Sequence, residues 1–145
     1  MEHLLAGLTL ALLLACTRDD PAALDRSALR QAMAADDALG RALKEADDAA
    51  HAGHVQEADD IFKRTVAPAA DSALAAARAI EPRTDWGKSK KNALVTLEQD
   101  RKDAVEPFAA ALRGEDLDAK LAVYEKQLDL EHRAQTLSHD IDVGP

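Results

Sequence analysis

The side chains best suited to chemistry in this sequence are histidines with acidic neighbours. Asp47, His51 and His54 stand at i, i+4 and i+7, with Glu57 one turn further. On an unbroken helix that spacing gathers metal ligands on one face. Gly53 falls between the two histidines, so the alternative is a polar helix end at which His51 is favoured by the helix dipole. His132 and His139 share another face with Gln135. The sequence contains no H-E-x-x-H, no G-x-S-x-G, no Walker-type glycine loop and no dinucleotide fingerprint. With four serines and a single cysteine it offers no activated nucleophile either, and the expectation is a protein that is not an enzyme.

Whatever positions these groups is helical. Of 145 residues, 32 are alanine, whereas valine and isoleucine together number nine, too few to furnish a sheet. Alanine with Leu, Glu, Asp, Lys, Arg and Gln is a helical composition. The net charge of −9 argues against a nucleic-acid partner, which requires basic surface.

The apolar periodicity predicts four helices. Asp20 caps the first and Pro21 opens it, with a stripe of Ala28, Ala32, Ala35, Leu39, Leu43, Ala46 and Ala50, Leu29 and Met33 on its margin, and an end near Ala52. The second carries Val55, Ala58, Phe62, Val66, Ala69, Ala73, Ala76 and Ile80 and stops before Pro82. The third shows Leu94, Leu97, Arg101, Ala104, Val105, Phe108 and Leu112 up to Gly114. Asp116 caps the fourth, whose stripe is Leu117, Leu121, Tyr124 and Leu128. A second stripe on that helix, Val123, Leu130, Ala134, Leu137 and Ile141, is expected either to wrap across the bundle or to offer a surface to a partner protein. Short links make neighbours antiparallel, which predicts an all-α, up-down-up-down four-helix bundle over residues 21–145, with a tandem helical-hairpin array as the alternative. Pro68 and Pro107 interrupt helical patterns and should each kink its helix; a shared kink would open a cavity.

In this topology the start of helix one, the turn between helices two and three and the end of helix four share one end of the bundle. That turn contains Arg83, Trp86, Lys88, Lys90 and Lys91, a basic cluster with an interfacial aromatic. It is read as a membrane-contact patch for anionic head groups, with a solvated loop in which Trp86 caps the core as the alternative.

Two resemblances add to this reading. The run Leu4 to Ala15 is too short to span a bilayer and ends in Leu13-Leu14-Ala15-Cys16, which resembles the lipobox of bacterial lipoproteins. That resemblance implies a signal peptide over residues 1–15, removal of which leaves Cys16 as the lipidated (palmitate-bearing) first residue, and a short tether over 16–20. Thr17, not Asp, follows the cysteine, which implies sorting to the outer membrane, facing the periplasm. A lone buried thiol is the alternative for Cys16. The second likeness is architectural: an early methionine on helix one and a late histidine on helix four are similar to the axial ligands of four-helix b-type cytochromes. It implies a haem b carrier with Met33 and His132 as ligands, kept as the alternative to a lipid-anchored structural or binding module without a cofactor.

Overall fold

The computed structural model describes residues 20–145, so expectations for Cys16 and the segment before it lie outside the described residues. The chain is all-α. Helix α1 spans Pro21–His51; α2 runs as Val55–Ile61, a π-helical turn Phe62–Val66 and Ala67–Ala79; α3 spans Asp85–Arg113 and α4 Leu117–Val143. No strand occurs among the described residues.

The helix ends follow local chemistry. The Asp20 carboxylate accepts from the Ala22 N–H at 3.1 Å, and Pro21 occupies the first turn, where a missing N–H costs nothing. Gly53, at φ 84°, takes the left-handed conformation that ends α1. Thr84 caps α3 by accepting from the Gly87 N–H at 2.9 Å, and Asp116 caps α4 through Asp118 and Ala119.

Long-range polar contacts mark an up-down-up-down course. At one end the Asp25 carboxylate holds the α2–α3 turn, Arg30 pairs with Asp142 at 2.7 Å and Lys90 with Asp140 at 2.7 Å. At the other, Tyr124 donates to Asp47 at 2.5 Å and Arg113 pairs with Asp59 at 2.6 Å. Between them the core falls into two parts. The first gathers Leu29, Ala77, Ile80, Leu94, Leu97, Leu130, Leu137 and Ile141. The second gathers Leu39, Ala46, Phe62, Val66, Ala70 and Phe108, with Phe108 edge-on to Phe62 and to Tyr124.

Three stripes differ from their sequence expectations. On α1 the buried face centres on Leu29, which is fully buried rather than marginal, and carries two acids, Asp25 and Asp36. On α2 the stripe keeps its expected phase through Ala58, Phe62 and Val66, then moves one residue on, to Ala70, Leu74 and Ala77 in place of Ala69, Ala73 and Ala76 as its axis, although Ala73 stays buried. Pro68 is the cause. It has no N–H for the Arg64 carbonyl and its ring crowds that carbonyl, so the helix widens, with the Ala67 N–H bonding the Phe62 carbonyl. The extra residue in that turn advances every later side chain by about 100°.

On α4 the two stripes exchange roles. Leu130, Ala134, Leu137 and Ile141, expected to wrap across the bundle or offer a partner surface, are buried in the core, and Val123 is half-buried against it. Leu117, Leu121 and Leu128, expected in the core, are exposed. Both stripes have good helical spacing and one helix cannot bury both. The buried one lies at the end where α1, α2 and α3 all present leucine, isoleucine or alanine.

Candidate functional site: the groove between α1 and α4

Helices α1 and α4 touch near their ends and part between them. The Arg30–Asp142 pair and the Tyr124–Asp47 bond clamp the two ends, and the space between holds a groove of about 770 Å³. That is within the usual range for a small-molecule or peptide site. One wall is Met33, Asp37, Gly40 and Arg41 of α1; the other is Gln127, Leu128, Glu131 and Gln135 of α4; Arg101 and Phe108 of α3 form the floor. Gly40 sits mid-helix with open space where a Cβ would project, so the α1 backbone is accessible there.

The floor is held by charge. Arg101, on the predicted apolar stripe of α3, is ion-paired with Asp36 of α1, their side chains only 12% and 11% exposed. Desolvation lowers the pKa of the Arg101 guanidinium, Glu131 acting against it and Arg133 with it. One turn back on α3, Glu98 is buried with neither carboxyl oxygen hydrogen-bonded, and burial pushes its carboxyl up to about 7. At the end of the groove, burial, followed by the bond to the Asp47 carboxylate, drives the Tyr124 phenol above its ordinary range. Tyr124→Phe should therefore cost about 1 kcal/mol, the value of one partly buried hydrogen bond. In the parent protein the phenol should titrate later than free tyrosine in an ultraviolet titration; an ordinary midpoint would show that the Asp47 bond is not formed in solution.

The sequence-predicted ligand sets do not assemble. His51 Nδ1 lies 2.9 Å from the Asp47 carbonyl and 3.3 Å from its carboxylate, while His54, beyond the Gly53 break, lies 3.2 Å from Glu57. Among the described residues no group of three His, Asp, Glu or Cys gathers to hold a metal ion. Met33 lines the groove but His132 does not; it is exposed. The Arg30–Asp142 and Asp47–Tyr124 contacts set the register of α1 against α4, and in it Met33 and His132 stand roughly 10 Å apart along the axis, on faces that do not meet. The axial pair of the cytochrome likeness is not formed. Pro107 and Val123 line a depression of about 330 Å³ between α3 and α4, and Pro68 is not part of its lining.

The basic turn does gather at the end of the bundle where α1 begins. Trp86 is half-buried against the core, Lys90 is paired with Asp140, and Lys91 donates to the Ile80 carbonyl at 2.6 Å. Lys88 is exposed and pairs with Asp85, and Arg83 is exposed.

Sequence reasoning missed Asp36 and Glu98. The signal for Asp36 was present: Arg101 on a buried stripe demands a counter-ion, and Asp25, Leu29, Ala32, Asp36 and Leu39 form one face at helical spacing. No family model, characterised protein or solved structure matches the chain.

Proposed function

We propose that this chain is a lipid-anchored protein of the bacterial cell envelope, a helical bundle with a structural or binding role rather than an enzyme. The observation that carries this is the Leu13-Leu14-Ala15-Cys16 sequence closing an apolar run, followed after only Thr17 to Asp20 by the first turn of α1. Four extended residues reach about 14 Å, so the bundle would sit close to the bilayer. No helix among the described residues is long and apolar enough to cross a membrane. Thr17 directs the protein to the outer membrane, facing the periplasm.

The anchored end presents Trp86, Arg83 and Lys88 toward anionic head groups, while Lys90 and Lys91 serve first to hold α4 and the end of α2. The groove between α1 and α4 supports a binding role in this reading. Labelled palmitate supplied to bacteria expressing the full chain tests the proposal. Wild-type protein should take up label and sediment with membranes, and Cys16→Ala should do neither. An unlabelled wild-type protein, or a labelled Cys16→Ala variant, would overturn it.

A further inference from the structure

Glu98 lies at the level of Leu97 in the first part of the core, 2% exposed and without a hydrogen-bond partner. The charged groups around that level are already engaged. From α1 Asp36 holds Arg101; from α2 Asp71 holds Lys102 at 2.5 Å and Arg78 donates to Gln99 at 3.0 Å; from α4 Arg133 holds Asp100 at 2.8 Å, and Glu131 lies in the field of Arg101. A neutral carboxyl tolerates such a place, but an ionised one requires a counter-charge. Two cations lie within one turn on the same helix, Arg101 at i+3 and Lys102 at i+4. Arg101 is 12% exposed and shares the interior, where attraction is strongest, whereas Lys102 is 45% exposed and would require Glu98 to swing to the surface.

We propose that Glu98 is a proton-operated switch of the α1–α3 ion pair. Protonated, it lies neutral in the core and leaves Arg101 to Asp36. When it releases its proton to solvent it draws Arg101 away from Asp36, and α1 loses its hold on the floor of the groove. The groove therefore loosens as pH rises. Burial raises the Glu98 carboxyl from an ordinary 4.5 to about 7, which puts the change near neutrality. The sign follows: between those values the folded chain keeps a proton that the unfolded chain has released. Stability contributed by this group is thus full below the lower value, falls as pH rises between the two, and is flat above. The switch is independent of the lipid anchor and of any ligand.

Carboxyl-carbon NMR of Glu98 and nitrogen NMR of the Arg101 Nε, recorded on the folded protein from acid to mildly alkaline pH, provide the test. Both signals should move with one midpoint near 7. In Glu98→Gln the Arg101 signal should stay still. In Asp36→Asn, with the rival carboxylate gone, the Glu98 midpoint should fall toward the ordinary range. The proposal is overturned if Glu98 titrates in the ordinary range, or if it titrates late while Arg101 does not respond, the pattern expected of capture by Lys102. The wild-type titrations decide this even if a variant fails to fold.

Discussion

Arg101→Met should lower stability by about 3–5 kcal/mol in urea denaturation, because it leaves the Asp36 carboxylate buried without a partner. Asp36→Leu alone should cost a similar amount by stranding the guanidinium. The double variant should recover most of the loss, since the pair gains little over apolar side chains of similar volume once its desolvation has been met. Exposures of 12% and 11% are what separate this pair from ordinary surface pairs such as Lys44–Asp48, at 73% and 65%, which contribute under about 1 kcal/mol. The coupling energy from the cycle is the decisive number. If the losses in the two single variants simply add in the double variant, the ion pair does not hold α1 to α3, and the switch at Glu98 would have nothing to act on. The same cycle at high salt should change little, as buried charges are poorly screened.

The helices and their order could be read from the sequence because their causes are local. Asp20-Pro21, Gly53 and Asp116 act on their own first or last turns. What decides which face of a helix turns inward is not local. On α4, Leu117, Leu121 and Leu128 are as well spaced as Leu130, Leu137 and Ile141, and only the leucines and alanines supplied by three other helices select between them. On α2 a proline could be seen to disturb the helix, but a kink and a π-turn satisfy the same lost hydrogen bond. Only the π-turn advances the stripe from Ala69 to Ala70. The groove was illegible for a related reason. Its floor is set where α1 is tied to α3, by Asp36 in the groove and Asp25 at the end of the bundle, two acids whose partners lie 58 to 65 residues further along the chain. Arg101 was visible on its stripe; its partner Asp36 shares the face of Leu29, Ala32 and Leu39, a signal masked because acids on α1 also serve the solvated face.

Asp25 should prove the most sensitive position at the end of the bundle where α1 begins. Its Oδ1 accepts from the Arg83 N–H at 2.8 Å, and its Oδ2 from the Thr84 N–H at 2.9 Å and the Thr84 hydroxyl at 2.6 Å. That hydroxyl in turn caps α3 at Gly87, where a Cβ would overlap the Asp25 carboxylate, so glycine is required by space and not by backbone angle. Asp25→Ala strands three donors, and a loss of about 3 kcal/mol is expected. Gly87→Ala attacks the same lock from the other side and should cost about 2 kcal/mol through overpacking. Because both act on one carboxylate, the double variant should lose much less than the sum of the two, whereas full additivity would mean that the lock is not a unit. Burial works to raise the Asp25 pKa, but the Thr84 hydroxyl, the two backbone N–H groups and the charge of Arg83 outweigh it and hold the carboxyl below its ordinary 3.8. Its contribution is therefore complete above that value and lost as pH falls through the lower folded-state pKa. Asp25→Asn should accordingly flatten the acid limb of the stability profile, leaving the fall toward neutral pH caused by Glu98 unchanged. The two limbs then report separately on the lock at the end of the bundle and the switch at its middle.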